Sequence, residues 1–172
     1  LVREKGFWSG VLPMEDARMI SDHIISHGID LQHEEELEEI IGDENGRVTA
    51  IKTKKGETID CNLVGLCAGV RPQIGFLAGS GIETDKGILV DRHLKTSAQD
   101  VYAIGDCAQQ REAIGERKSV EAVWYTGRMM GETLAQTLCG NSMEWNPGNW
   151  FNSAKFMDIE YQTYGIVNVQ PA

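Results

Sequence analysis

Two different spacings of hydrophobic residues along the chain predict a mixture of helices and strands. From Leu12 to Gly28, apolar residues recur at helical spacing, acidic residues occupy the first turn, and the final glycine is a stop signal. A longer helix is predicted from Ser119 to Gly140. Four apolar residues form one stripe along this second helix, namely Val123, Met130, Leu134 and Leu138.

Other segments carry the patterns of strands. Residues 36–61 alternate between apolar and polar positions and contain breaks at Asn45-Gly46 and Lys55-Gly56, which predicts a three-stranded antiparallel meander. The continuous apolar run of residues 62–69 predicts a strand that is buried on both faces. Further short strands are predicted at residues 29–33, 88–91 and 100–106, and across residues 156–169.

Composition and charge narrow the classes of protein that fit this pattern. The hydrophobic fraction is 41% and no apolar run approaches the roughly 20 residues that span a bilayer, so a soluble, cytoplasmic protein is expected. The net charge of -10 argues against nucleic acid or an anionic membrane as a partner. Because the chain begins and ends on strand-like residues, we expect it to be a piece of a longer protein.

Cysteine and histidine positions give little sign of metal or thiol chemistry. None of the four cysteines is in a C-x-x-C pair, and no histidine is identified at metal-ligand spacing. We therefore expect buried thiols, surface histidines and no metal site. No G-x-G-x-x-G motif opens a helix, and no catalytic acid, base or nucleophile is identified.

Asp106 is the one candidate for ligand binding that the local pattern offers. The predicted strand at residues 100–106 stops at Gly105 and Asp106. In open α/β sheets, ligands bind at the carboxyl ends of the strands, and a glycine there allows a ligand to approach the backbone. The carboxylate of Asp106 could accept hydrogen bonds from the hydroxyls of a polyol or ribose. Alternatively, Asp106 could cap the turn that follows.

The stretch from Gly81 to Gln109 resembles the second FAD-binding segment of the pyridine nucleotide-disulfide oxidoreductase superfamily. The matching residues are Thr96, Ser97, Val101, Tyr102, Ala103, Gly105 and Asp106, while Gln99 stands where the family usually has proline. The resemblance implies that Asp106 binds the ribityl chain of FAD and that Gly105 allows the approach.

Segments on both sides extend the resemblance over nearly the whole chain. Residues 62–72 are similar to the crossover that leaves the nicotinamide-binding domain, with Gly69 at its cofactor-facing end, in the branch of NADH oxidases, nitrite reductases and ferredoxin reductases. The helix that begins near Val120 and Glu121 resembles the family helix whose amino end faces the flavin.

Near the first residues, the resemblance bears on the choice of nicotinamide cofactor. Leu1 and Val2 resemble the end of a strand at which relatives hold the ribose of the cofactor. Arg3 would favour the 2′-phosphate of NADPH, whereas Glu4 would favour NADH. The preference leans slightly to NADPH through Arg3, and a solvated charge is the alternative.

Together, these observations predict an α/β fold, namely a Rossmann-like, three-layer FAD/NAD(P)-binding fragment with an antiparallel β-meander. The predicted divisions are residues 1–70 for the second half of an NAD(P)-binding domain, 71–145 for the end of an FAD-binding domain, and 146–172 for the start of a C-terminal domain through which relatives often dimerise. The implied function is hydride transfer from NAD(P)H to FAD, with electrons passed to an unidentified small molecule or small redox protein. The alternative is a fold fragment or interaction module that binds no cofactor by itself.

Overall fold

The computed structural model describes residues 1–165 and Val167, and its internal contacts divide the chain into two compact units. The first unit comprises residues 1–67 and resumes at residue 153, whereas the second comprises residues 68–152. No helix in the part of the chain that the structure describes is both long and apolar enough to cross a membrane.

The first unit contains the predicted helix and the predicted meander. Helix α1 spans Met14–Ser26, and Gly28 after it has the left-handed φ of +80° that ends many helices. Strands β1 (Leu37–Gly42), β2 (Val48–Thr53) and β3 (Thr58–Asp60) form an antiparallel sheet in the order β1-β2-β3. The meander prediction is therefore confirmed.

Residues 29–33 do not form the predicted strand, although Gln32 and the residues that follow make backbone hydrogen bonds with the first residues of the chain. The amide of Val2 donates to the carbonyl of Gln32 over 2.9 Å, and the amide of Glu35 donates to the carbonyl of Val2 over 3.0 Å. With a third bond, from the amide of Glu34 to the carbonyl of Glu4 over 3.2 Å, they hold the segments side by side without making a regular ladder.

The core of the first unit lies between α1 and a β-hairpin. The hairpin consists of β6 (Phe151–Phe156) and β7 (Ile159–Tyr164). Leu12, Ile20 and Ile24 are buried and are flanked by aromatic side chains from the hairpin and from residues 7–8, which precede α1. The rings of Phe156 and Tyr161 stack with centroids 5.7 Å apart, and Trp8 meets Phe156 edge to face at 5.1 Å. The predicted strand residues 166 and 168–169 lie outside the described residues.

In the second unit, a parallel strand pair packs against the second helix. Strand β4 (Ile88–Val90) pairs with β5 (Ala108–Gln110), with Ile88 opposite Ala108. Helix α2 spans Trp124–Leu138. Their buried side chains form one cluster with the loops around them: Ile88, Val90, Leu94, Ala103, Ala108, Met130 and Trp145. Only the β4 part of this strand pair was predicted.

The predicted buried strand at residues 62–69 is wrong, because the structure gives this segment no regular hydrogen bonding. Leu63 is 83% exposed, Leu66 is 69% exposed, and Val70 just beyond them is 82% exposed. A continuous apolar run becomes a central strand only where neighbouring strands supply hydrogen bonds and cover both faces. None of the described strands pairs with this segment.

The boundaries of two elements and the exposure of the cysteines also differ from expectation. Helix α2 begins at Trp124 rather than near Ser119, since residues 119–123 are not helical and Val123, directly before the helix, is extended with φ -130° and ψ 127°. The predicted strand at residues 100–106 is reduced to one antiparallel bridge between Lys95 and Tyr102. The cysteines are not buried: Cys67 and Cys139 are exposed, and Cys61 and Cys107 are partly exposed. The cysteines belong to chain segments that lie at the surface.

Candidate functional site

The predicted ligand-binding residues Gly105 and Asp106 form a single tight turn in the second unit. Ile104 is extended, with φ -137° and ψ 164°, and Gly105–Cys107 then make one turn of 3-10 helix before β5 begins at Ala108. Gly105 has a φ of +76°, a conformation that glycine adopts without the steric cost of a side chain. The glycine is therefore needed to reverse the chain at this point.

Two elements hold this turn from different sides. A Cβ atom at Gly87, just before β4, would lie only 2.7 Å from the carbonyl oxygen of Cys107. A Cβ atom at Gly127, in the first turn of α2, would lie 3.3 Å from the Cα of Gly105. The amide of Gly105 also points at the sulfur of Met130, 3.3 Å away. Glycines thus let the strand and the helix approach the turn backbone directly.

The side chain of Asp106 is exposed and has no hydrogen-bond or ion-pair partner among the described residues. The alternative of a capping aspartate is not supported, because no side chain caps this 3-10 turn. A Cβ atom placed on Gly105 would meet nothing within 4 Å, so the space beside the turn is open. The turn therefore presents a carboxylate and open backbone to the outside.

The side-chain amide of Gln109, on β5, is hydrogen-bonded to two residues that precede β4. The buried side chain of Gln109 accepts a hydrogen bond from the amide of Gly87 over 2.8 Å and donates to Asp85 over 3.0 Å. The hydrogen bond from Gln109 lowers the pKa of Asp85, and a backbone hydrogen bond from Lys86 adds to this effect.

Glu121 is placed differently from the prediction. The predicted helix start would have put Val120 and Glu121 at the amino end of α2, but that end is at Trp124, with Val123 as the preceding residue and no side-chain cap. The carboxylate of Glu121 is 9% exposed and is held by Arg117, whose Nε lies 2.6 Å from Oε1. The hydroxyl of Thr126 donates to the same carboxylate over 3.1 Å. Glu121 therefore ties residue 117 to the first turn of α2, and Val120 beside it is half-buried.

The remaining predicted residues lie on exposed surfaces. Arg3 and Glu4 are both exposed near the start of the first unit, where Arg3 contributes to lowering the pKa of Glu36 behind the larger effect of Lys54. Gly69 is exposed and has a φ of +94°. Gly69 belongs to the second unit, as do Gly105 and Asp106.

The structure also brings together a set of side chains that the sequence analysis missed. His23 and His27 lie one turn apart on α1 and at its end, and Asp158 from the β6–β7 turn contacts them. The expectation that no histidine lies at metal-ligand spacing was wrong, since a spacing of four residues on a helix places two side chains on one face. The hydrogen bond with His23 lowers the pKa of Asp158. The helical spacing could have been noticed from the sequence, but the contribution of Asp158 could not.

Comparison with known proteins gives the class to which this fold and turn belong. The family profile of the pyridine nucleotide-disulphide oxidoreductases matches residues 4–131. The chain therefore belongs to this family, and the resemblance inferred from the sequence is confirmed.

Particular relatives place the chain near the ferredoxin reductases and nitrite reductases. It is 32% identical over 154 residues to the 5,5'-dehydrodivanillate O-demethylase ferredoxin reductase subunit of a Sphingobium species, covering 88% of this chain and 37% of that protein. It is 32% identical over 123 residues to the NAD(P)H nitrite reductase of Bacillus subtilis, covering 72% of this chain and 14% of that protein. The chain thus spans well under half the length of these relatives.

A solved structure supports the same assignment of fold. The ferredoxin reductase of Rhodopseudomonas palustris superposes with a TM-score of 0.85 and 25% sequence identity, over 96% of this chain and 40% of that one. The expected α/β fold of the FAD- and NAD(P)-binding oxidoreductases is therefore confirmed. The antiparallel meander of β1 to β3 is the part of it that the sequence pattern predicted most directly.

Proposed function

We propose that this chain is part of an FAD-dependent oxidoreductase that takes a hydride from NAD(P)H and passes electrons to a further acceptor. The observation that carries the proposal is the Gly105–Asp106 turn, which offers an exposed carboxylate without a partner among the described residues. Family membership and the likeness to ferredoxin reductases support it.

The residues of the turn suit the ribityl chain of FAD. A polyol brings several hydroxyl donors, and the ionised carboxylate of Asp106 can accept two of them. The open space beside Gly105 lets the polyol approach the backbone. When bound, FAD would supply the hydride acceptor and the electron carrier, whereas this chain would position it.

The amino end of α2 is the second group that we assign to the cofactor. Helix amino termini favour negative charge because their first amides point outwards. The helix begins at Trp124, so residues 124–126 rather than Val120 and Glu121 carry these amides. Glu121 has a positioning role in this proposal, because it holds Arg117 and Thr126.

The same proposal assigns three successive parts of the chain to three domains. Residues 1–70 would be the second half of an NAD(P)-binding domain, residues 71–145 the end of an FAD-binding domain, and residues 146–172 the start of a third domain. Gly69 would lie at the crossover from the first to the second. A role in dimerisation for the third domain and a cytoplasmic location stay predictions.

The cofactor preference and the acceptor are also proposals. Arg3 is exposed and cationic, as binding of the 2′-phosphate of NADPH would require, and the adjacent Glu4 offers the contrary preference for NADH. For the acceptor we favour a small redox protein, because the similar proteins include a ferredoxin reductase subunit and rubredoxin-NAD(+) reductases. A small-molecule acceptor is the alternative.

A second candidate concerns the 172-residue chain taken by itself. It spans 37% of one relative and 40% of one solved neighbour, and apolar side chains such as Leu63 and Leu66 are exposed. By itself the chain would then be a fold fragment that binds no cofactor. Extensive exposed apolar surface of this kind also favours association.

Purification of the full-length protein that contains this chain tests the main proposal. We expect stoichiometric FAD, bleaching of the flavin absorbance on anaerobic addition of NADPH or NADH, and recovery on addition of an acceptor. A colourless full-length protein that cannot be reconstituted with FAD would contradict the proposal. A yellow preparation of the 172-residue chain alone would contradict the second candidate.

A further inference from the structure

The first unit contains three side chains that can act together as metal ligands and that the proposed flavin chemistry does not use. His23 and His27 come from the carboxyl end of α1, and Asp158 comes from the turn between β6 and β7. One ligand atom from each lies within 4.8 Å of the other two. All three residues belong to the same compact unit.

The hydrogen bond of His27 fixes which of its ring nitrogens can bind a metal. Nδ1 of His27 lies 2.9 Å from the backbone carbonyl oxygen of His23. A carbonyl oxygen only accepts hydrogen bonds, so Nδ1 carries the proton and donates it, and Nε2 of the neutral ring keeps its lone pair. This arrangement, in which the second ring nitrogen is bonded to a carbonyl, is the usual support of a metal-bound histidine.

The free nitrogen of His27 is directed at the same oxygen that His23 contacts. Nε2 of His27 lies 3.9 Å from Oδ1 of Asp158, and Nε2 of His23 is hydrogen-bonded to that oxygen. The two imidazole rings lie 4.4 Å apart between centroids, inclined at 67°. Two imidazole nitrogens and one carboxylate oxygen therefore converge on one point.

The site has room to adjust to metal geometry and to complete it with water. Ligand atoms of a tetrahedral zinc ion, with bonds of about 2.0–2.2 Å, lie about 3.4 Å apart. The Asp158 side chain is 75% exposed and that of His27 is 43% exposed, so small side-chain rotations can close the difference. The proton on Nε2 of His23 would move to Nδ1 or leave, since a metal ligand needs the lone pair.

We propose that His23, His27 and Asp158 bind a divalent transition-metal ion, with Zn²⁺ as the preferred probe. Imidazole ligands select transition metals over Mg²⁺ and Ca²⁺, which prefer oxygen ligands. The ion joins the end of α1 to the β6–β7 turn, 131 residues beyond His27 in the chain. Core residues of α1 and Phe156 of the hairpin already pack in one cluster, so the ion fastens two elements that are in place.

Titration of zinc into the chelator-stripped full-length protein, in competition with a chromophoric chelator, tests the proposal. We expect His27→Gln and Asp158→Asn each to weaken the binding of one zinc ion by about tenfold or more, a loss at least as large as the removal of supporting residues causes. His93→Gln is the matched control, because His93 lies in the second unit, and it should leave the affinity unchanged. Mg²⁺ should not compete.

The melting temperature gives a second readout that does not depend on flavin. Zinc should raise the melting temperature of the wild type and of His93→Gln, but not that of the two site variants, because a ligand that binds the folded state stabilises it by mass action. Circular dichroism without metal should show the same fold for all four proteins. Zinc affinity that is absent in the wild type, or unchanged in both His27→Gln and Asp158→Asn, would overturn the proposal.

Discussion

Gly127 in the first turn of α2 lies directly against Gly105, so that a methyl group on Gly127 would come within 3.3 Å of the Gly105 Cα. The helix and the candidate flavin-binding turn are therefore in backbone contact, and the helix position depends on two glycines that face each other. Any side chain at Gly127 must move either the helix or the turn that carries Asp106.

Replacement of Gly127 should therefore act on the cofactor site. Alanine favours a helix over glycine by about 0.5–1 kcal/mol, but at position 127 the close contact should outweigh this gain and lower the free energy of unfolding by about 1 kcal/mol. We also expect weaker FAD binding by the full-length protein. Gly131→Ala is the matched control, since its Cβ would meet Ile104 at an ordinary 3.8 Å. Gly131→Ala should stabilise the protein, as urea unfolding would measure. Equal stabilisation by both substitutions would contradict the contact.

A substitution at Gly87 should be more damaging. The added Cβ would lie 2.7 Å from the carbonyl oxygen of Cys107, a distance that backbone atoms cannot tolerate without a shift. We expect Gly87→Ala to lower the free energy of unfolding by about 2–3 kcal/mol, as overpacking typically does. Gly75→Ala, where no atom lies within 4 Å of the added Cβ, should change it by less than about 0.5 kcal/mol. A Gly87→Ala protein as stable as Gly75→Ala would show that β4 can move away from the turn.

How far the sequence predicts these features depends on how local their causes are. Helix α1 and the β1–β3 meander follow from periodicity and from turn residues at Asn45-Gly46 and Lys55-Gly56, and the structure contains both. The apolar run at residues 62–69 is different, because strand formation there requires neighbouring strands that none of the described elements supplies. Local pattern cannot reveal whether such neighbours exist.

The candidate site likewise has some features that follow from local sequence and others that arise only from packing. The Gly105–Asp106 turn has a recognisable spacing with Thr96 and Ser97, so the sequence was enough to select it as a candidate cofactor site. The contacts of Gly87 and Gly127 with the turn arise only when distant segments pack, and neither was predicted. The role of Glu121 was also missed, because a helix was expected at residue 121, whereas Glu121 precedes α2 and pairs with Arg117 in the loop before that helix.

The ion pair between Arg117 and Glu121 should be a strong structural contact. Their side chains are only 14% and 9% exposed, and Arg117 also donates to the carbonyl of Gly148 over 3.1 Å. Because Glu121→Ala leaves a buried cation without its carboxylate, we expect the free energy of unfolding to fall by about 3 kcal/mol.

Glu132 supplies the control for this pair. It forms an i,i+4 ion pair with Arg128 on the exposed face of α2, so Glu132→Ala should change the free energy of unfolding by less than about 0.5 kcal/mol. Chemical denaturation of the two variants checks the comparison. Similar small losses for both would mean that the Arg117–Glu121 pair is open to solvent.

Asp85 should make stability depend on pH in the acid range. Its pKa is lowered from 3.8 in the folded state, chiefly by the hydrogen bond from Gln109. A group with a lowered folded pKa contributes stability that is present above its unfolded pKa and is lost as the pH falls through its folded pKa. The free energy of unfolding, measured from pH 6 downwards, should therefore decrease less steeply below about pH 4 in Asp85→Asn than in the wild type. Identical slopes would exclude this contribution.

The most direct test of the central claim is the FAD affinity of the full-length protein with Asp106→Asn. This substitution keeps the size of the side chain and removes its charge, so the hydroxyl hydrogen bonds lose their charge assistance. We expect the dissociation constant of FAD to rise about tenfold, which corresponds to roughly 1.4 kcal/mol. Asp100→Asn is the matched control, because Asp100 is an exposed aspartate of the same unit and should leave the affinity unchanged. An Asp106→Asn protein that retains FAD as tightly as the wild type would contradict the assignment of this turn to the flavin.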